Sequence, residues 1–188
     1  MWWPETRLLF RALRAAIALS CAGLTAACFQ PMYGTYSLAG GDGSLREKFA
    51  SVDVLQIDAA NGTSVARLGV EVRNALIFEL QGGNGATLPT HALKISLSAT
   101  TSSVIVDIFT ARPDVENYGV NATYTLVELA TNKPVVTGAT FARVSYDIPG
   151  QEQRFARQRA MRDAENRAAK VVAQQIQQRL ASYFVAGA

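Results

Sequence analysis

Cys28 follows Leu24-Thr25-Ala26-Ala27 and precedes Phe29-Gln30-Pro31-Met32-Tyr33-Gly34. A thiol in that position, behind a short apolar run, can accept a diacylglyceryl group and become the first residue of an exported, membrane-anchored chain. The run is built for export: Arg7, Arg11 and Arg14 form a positive start, residues 15–25 are apolar, and Ala26 and Ala27 are small. Eleven apolar residues are too few to cross a bilayer, which needs about 20. Ordinary cleavage after Ala27 and an uncleaved anchor remain open as readings. Thr25 stands where an acylation box usually carries Leu, with Leu24 one place early, and Cys21 behind Ala18-Leu19-Ser20 is a rival acceptor. Cysteine counting favours Cys28. The chain has two Cys; cleavage before Cys28 removes Cys21 and leaves one, which no intramolecular disulfide can use. Acyl chains contribute about 0.8 kcal/mol per buried methylene, and stable anchoring takes more than one chain, a requirement that a diacylglyceryl Cys meets.

No other constellation builds a reactive centre. His91 is the one His, with no second His or free Cys to share a metal, and it reads as a strand-end residue. Gly82-Gly83-Asn84-Gly85 follows a helix rather than a strand and lacks the Gly-Lys-Ser/Thr of a phosphate loop, so it reads as the loop after a helix end. Asp107 and Asp114 have no companions for acid–base work and read as turn residues. No enzyme, cofactor or metal is expected. Arg154, Arg157, Arg159, Arg162, Arg167 and Lys170 could meet anionic phosphates, but three acids dilute them and they read as the solvated face of an amphipathic helix. Arg112 and Lys133 each flank a strand in a turn, where a cation can reach a phosphate or simply be solvated.

The charge of the whole chain is +3. It is uneven: residues 28–150 carry 8 Lys/Arg against 11 Asp/Glu, and residues 151–188 carry 7 against 3. Positive charge confined to one terminal segment is not the broad basicity of a nucleic-acid binder, and no nucleic acid is expected.

The positioning elements follow from periodicity. Residues 1–27 read as a signal and residues 28–48 as the modified Cys with a tether, whose Gly/Ser/Tyr-rich part, Gln30 to Leu45, spans roughly 20–25 Å; residues 49–188 read as one folded domain. Residues 51–57 form a strand. Asn61-Gly62 turns, Thr63 or Ser64 caps, and Val65, Leu68, Val72, Leu76 and Leu80 set a helix that Gly82-Gly83 ends. Leu93, Ile95, Leu97 and Ala99 alternate with polar residues, then the phase slips to Val104, Val106 and Ile108, which predicts a bulge near residues 100–103. Ala111-Arg112-Pro113-Asp114 predicts a turn. Val120, Ala122, Tyr124 and Leu126 make the next strand, Thr131-Asn132-Lys133-Pro134 a hairpin turn, and residues 135–146 a last strand with Phe141 and Val144 as core candidates. Pro149-Gly150 breaks the chain before a helix over residues 151–184, about 50 Å long, whose apolar stripe is Met161, Ala164, Ala168, Val171, Val172, Ile176, Leu180 and Tyr183. Arg159–Asp163 and Asp163–Arg167 are spaced for ion pairs. The order β-α-β-β-β-α predicts an α+β two-layer sandwich, a four-stranded sheet packed on two helices, with an opposite sheet face rich in Thr, Ser and Asn.

Cys28-Phe29-Gln30-Pro31-Met32-Tyr33-Gly34 resembles the mature start of the lipopolysaccharide-assembly outer-membrane lipoproteins (LptE-like) of Gram-negative bacteria. Met32 stands in place of their usual Leu, and the Gly often found after Cys is absent. The residues from Gln153-Arg154-Phe155-Ala156 to Arg162-Asp163-Ala164-Glu165-Asn166-Arg167-Ala168-Ala169 are similar to the last helix of alphaproteobacterial members. The resemblance covers most of the mature chain and implies the same β-α-β-β-β-α fold. It also implies a lipid anchor in the outer membrane facing the periplasm; Phe29 rather than Asp after Cys28 agrees with that sorting. It implies a large outer-membrane β-barrel assembly partner (LptD-like), which such proteins plug and help to assemble, and lipopolysaccharide as ligand. By the same analogy, cations in strand-connecting loops meet lipid A phosphates, with Lys133 and then Arg112 as the candidates. The alternative is a periplasm-facing lipoprotein that binds another ligand or protein.

Overall fold

The computed structural model describes residues 44–83, 88–107, 112–148 and 154–186; the side chains of residues 105–107 and 112–114 are not among those described. Cys28, the leader and the Gly-rich stretch before residue 44 lie outside these residues. The elements are α1 (Leu45–Ala50), β1 (Val52–Val54), α2 (Ser64–Gln81), β2 (His91–Asp107), β3 (Arg112–Glu128), β4 (Lys133–Asp147) and α3 (Arg154–Ala186). They form a four-stranded sheet in the order β1-β2-β3-β4. The α+β expectation holds, with one helix more than predicted.

That extra helix is α1, which starts regular structure at Leu45 rather than at residue 49. Ser44 caps it: its side chain accepts from the Glu47 N–H while the Glu47 carboxylate accepts from the Ser44 N–H at 2.9 Å. This reciprocal cap satisfies two donors that a helix start leaves open. The helix buries Leu45 and Phe49, and the Phe49 ring meets Phe184 of α3 edge-on at 6.1 Å.

β1 is shorter than expected. Its three residues pair in parallel with residues 91–93 of β2, and α2 forms the crossover between them. Thr63 caps α2 by accepting from the Ala66 N–H at 3.2 Å. Gly82 ends the helix in the left-handed region (φ 65°), with N–H bonds back to Ile77 and Phe78 carbonyls around the end. Leu68, Val72, Leu76 and Leu80 are buried as their spacing requires, while Val65 is only half-buried.

β2, β3 and β4 form an antiparallel meander. The register of β2 against β3 shifts between Ser103 and Val106, a few residues later than the predicted bulge. Of the turn predicted at residues 111–114, residues 112–114 are strand instead: Val106 pairs with Pro113 and Asp107 with Arg112. Pro113 is tolerated because β3 pairs with β4 only from Val115 onward, so at residue 113 a missing N–H can face an unpaired side. The second hairpin also turns earlier than predicted. Residues 129–132 make the turn, with Asn132 left-handed (φ 53°), and Lys133 and Pro134 already belong to β4.

Burial in β3 and β4 falls on even-numbered residues: Tyr118, Val120, Ala122, Tyr124 and Leu126 in β3, and Val136, Ala142, Val144 and Tyr146 in β4. Phe141 is odd-numbered and 63% exposed, so the expectation of a core Phe141 is corrected by strict two-residue alternation; Val144 is in the core. α3 covers this face with Ala164, Ala168, Ala169, Val172, Ala173, Ile176, Leu180, Ala181 and Phe184. The small residues let the helix lie close to the sheet. Val171 of the predicted stripe is instead 37% exposed.

Candidate functional site

The sheet face turned away from the helices is the largest unexplained surface. Alternation puts Lys94, Ser96, Ser98, Thr100 and Ser102 of β2 there, with Asn117, Gly119, Asn121, Thr123 and Thr125 of β3 and Thr137, Ala139, Phe141, Arg143 and Ser145 of β4. The register aligns them in cross-strand rows: Lys94–Thr125–Thr137, Ser96–Thr123–Ala139, Ser98–Asn121–Phe141, Thr100–Gly119–Arg143 and Ser102–Asn117–Ser145. None of these residues is buried, and no described helix covers them.

Hydroxyls and amides in such rows can both donate and accept. Ser145 Oγ donates to Asn117 Oδ1 at 2.6 Å. Thr100 leans over Gly119, where an added Cβ would meet its Oγ1 at 2.9 Å. The charges in these rows, Lys94 and Arg143, are both positive, and Phe141 is the one large apolar side chain. The surface is therefore hydrogen-bonding and weakly cationic. It suits a broad polar partner better than an enclosed small molecule.

The two candidate lipid-contacting cations do not share a site. Lys133 is exposed at the start of β4, opposite Glu128 at the end of β3. Arg112 is the first residue of β3, opposite Asp107, and its side chain is not among those described. The length of β3 separates them, about 50 Å for seventeen residues.

His91 is half-buried at the start of β2. Its Nδ1 lies 2.8 Å from Thr90 Oγ1, its ring meets Phe184 edge-on at 5.4 Å, and burial lowers its pKa below 6.5. Among the described residues, no three potential metal-ligating side chains gather. Of the basic residues on α3, Arg154, Arg159 and Arg162 are exposed. Arg157 reaches Glu116, and Arg167 pairs with Asp163 at 2.7 Å. Asp163 forms no ion pair with Arg159 among the described residues.

Sequence reasoning missed a buried polar cluster where β3, β4, α2 and α3 meet. Glu116 and Glu165 are 8% and 5% exposed. Glu116 accepts from the Tyr146 hydroxyl and lies 3.3 Å from Arg157. Glu165 Oε1 is 3.5 Å from Arg67 Nη2, a charge contact without hydrogen-bond geometry, and the Tyr118 hydroxyl has no partner among the described residues. Burial, with Glu165 nearby, pushes Tyr118 up to about 12; burial, then the hydrogen bond and charge of Glu116, does the same to Tyr146. Parity could have found Glu116, which shares the even-numbered face of β3. Glu165 adjoins Ala164 and Ala168 on the α3 stripe. Each Glu meets an Arg at the surface of the helix layer, so the cluster stitches helices to sheet.

Comparison with known proteins places this geometry. The model of the LptE family, described as lipopolysaccharide-assembly, matches residues 50–180. No curated protein gives a significant match. Among solved structures, a Caulobacter crescentus CB15 protein described as a lipoprotein superposes with a TM-score of 0.60 at 20% identity, covering 77% of this chain and 97% of its own, a likeness of fold. The rare lipoprotein B of Shewanella oneidensis gives a TM-score of 0.49 at 16% identity over 72% of this chain and 95% of its own. A minor lipoprotein of Acinetobacter baumannii gives 0.48 at 12% identity, over 71% and 92%.

Proposed function

This chain belongs to the LptE lipopolysaccharide-assembly family, and from that premise we propose that it is the lipid-anchored subunit of an outer-membrane lipopolysaccharide translocon, seated by its open sheet face in the polar lumen of a large β-barrel. Membership assigns a role in lipopolysaccharide assembly in a non-enzymatic lipoprotein family. The observation that carries the finer reading is the uncovered face of β2, β3 and β4, with its rows of Ser, Thr and Asn. The interior of a water-filled membrane barrel is polar, and hydroxyl and amide rows can exchange hydrogen bonds with it directly or through water. An apolar face there would have called for another helix layer.

In this reading Cys28 carries the acyl anchor on the periplasmic side of the outer membrane. No helix among the described residues is long and apolar enough to cross a membrane, so the anchor would supply the attachment. Lipopolysaccharide is the ligand, and Lys133 and Arg112 are two separate phosphate contacts rather than one clamp. Binding and scaffolding, with no bond made or broken, describe the task.

Photo-crosslinking in living cells tests this. A photoreactive residue at Asn121 should capture a large outer-membrane barrel protein, while one at Phe78, exposed on α2, should do so far less. Capture from Phe78 alone, or recovery of the tagged chain without any barrel, would overturn the plug and favour a binding module with another partner.

A further inference from the structure

Contacts between distant segments gather four of them at one end of the domain. Phe49 of α1 and His91 at the start of β2 both meet Phe184, near the end of α3, at 6.1 and 5.4 Å. Ser51, just after α1, accepts from the Thr90 N–H at 2.9 Å. Thr90 O in turn accepts from the Leu129 N–H at 2.9 Å, where the β3–β4 turn begins. The other ends of these elements lie far off. β3 runs seventeen residues from Glu128 back to Arg112, about 50 Å. Phe155, in the first turn of α3, is about 45 Å along the helix from Phe184.

Three large apolar side chains are exposed at the near end: Leu88 just before β2, Leu129 at the β3–β4 turn and Val185 beside Phe184. Arg46 of α1 is exposed there too, and Lys48 is half-buried. Two acids of this end are already engaged. The Glu47 carboxylate accepts from the Ser44 N–H, and the Glu128 carboxylate from the Thr131 hydroxyl. The chain also enters here: α1 is six residues, about 9 Å long, so Ser44 lies close to Ser51. Sixteen residues, 28–43, separate Ser44 from the start of the mature chain at Cys28. A flexible chain of that length spans roughly 20–25 Å on average, and a fully extended one at most about 55 Å.

We propose that this end of the domain rests on the phospholipid surface that holds the anchor, with Leu88, Leu129 and Val185 in the headgroup layer and Arg46 and Lys48 beside its phosphates. The contact rests on Cys28 carrying the acyl anchor. Chain length then decides which end meets the bilayer. The near end stays within the average reach of sixteen residues, whereas bringing Phe155 or Arg112 down to the surface would stretch them almost fully, against their conformational entropy. Apolar side chains flanked by cations suit the boundary between headgroups and acyl chains. Three such side chains are too few to replace an acyl group, so the contact orients an anchored domain. It uses the end of the sheet and leaves the open face of β2, β3 and β4 free for a barrel wall.

Both Trp of the chain, Trp2 and Trp3, precede Cys28, so a protein beginning at Cys28 has none and one introduced Trp reports alone. The test reconstitutes the protein carrying Leu129→Trp, purified from membranes, in vesicles of phosphatidylethanolamine and phosphatidylglycerol, with brominated phospholipid as quencher. Phe155→Trp is the comparison. Leu129→Trp emission should shift to the blue and be quenched, and Phe155→Trp emission should do neither. Adding Leu88→Asp and Val185→Asp should reduce the quenching of Leu129→Trp severalfold. Flotation with the vesicles reads the anchor separately. Protein that floats with Leu129→Trp unquenched, or with both positions quenched alike, overturns the end contact and leaves the anchor standing. Protein that does not float overturns the anchor and the end contact together. If Leu129→Trp disturbs the fold, Leu88→Trp, outside every helix and strand, takes its place.

Discussion

The Tyr124 ring lies across Gly138 in the neighbouring strand, so close that a Cβ added to Gly138 would come within 2.7 Å of Tyr124 Cζ. The two are register partners at the centre of the β3–β4 ladder, and Tyr124 is 5% exposed. Glycine ordinarily weakens a strand; here the missing side chain is the space the aromatic ring fills. Gly138→Ala should therefore destabilise by about 1–3 kcal/mol, although alanine is otherwise the better strand residue. Urea unfolding checks this. A stabilised Gly138→Ala variant would show that the ring can leave without cost.

Tyr118 and Tyr146 make stability fall at high pH. Both are raised to about 12 from 10.0, so the folded state holds their protons while the unfolded state loses them. Their contribution is complete below pH 10 and is lost as pH climbs from 10 toward 12. Tyrosinate absorbance of the folded chain should lag behind that of the unfolded chain across this window. Thermal midpoints should drop there, and a Tyr118→Phe/Tyr146→Phe variant should drop less steeply.

The single His makes its own titration unambiguous. Burial is the first cause lowering His91, partly opposed by Glu128 and assisted by Lys48. A folded pKa below 6.5 means that the neutral ring supports the fold; this support is present above 6.5 and is lost as pH falls through the folded pKa. The ring-proton resonances of the single imidazole should titrate below 6.5. A midpoint at or above 6.5 would remove His91 from any account of acid sensitivity.

Much of this architecture was written in the periodicity. The Val120–Ala122–Tyr124–Leu126 alternation and the Leu68–Val72–Leu76–Leu80 spacing each select one face, and both faces are buried. Turn positions were less legible: Pro113 and Pro134 look like turn residues, but both lie where β3 or β4 lacks a partner on one side or bulges. The α1 helix was hidden in the Gly/Ser-rich stretch, although Ser44 and Glu47 have capping-box spacing. Phe141 misled because hydrophobicity alone does not fix phase. Glu116 and Glu165 escaped because charge argues for exposure, and only the Tyr146 hydroxyl and the arginines across the helix layer explain their burial.

If Cys28 is the acyl acceptor, removing it should affect attachment before it affects the fold. Cys28→Ala should abolish labelling by palmitate and release the chain from membranes. Among the described residues the core runs from Leu45 onward, and the thermal midpoint should not move. Persistent labelling would point to Cys21 as the acceptor, and loss of folding would mean that the anchor does more than tether.

The distance between Lys133 and Arg112 decides how their contributions combine. Substitutions separated by about 50 Å, with no shared partner, should add in free energy. If both cations meet lipopolysaccharide phosphates, Lys133→Asp and Arg112→Asp should each weaken binding, and the double variant should weaken it by the product of the two factors. A single clamp would behave differently: either substitution would remove most of the affinity and the second would add little. Normal binding by the double variant Lys133→Asp/Arg112→Asp would remove both cations from the lipid-binding surface and leave Lys94 and Arg143 as the charges of the open face to test next.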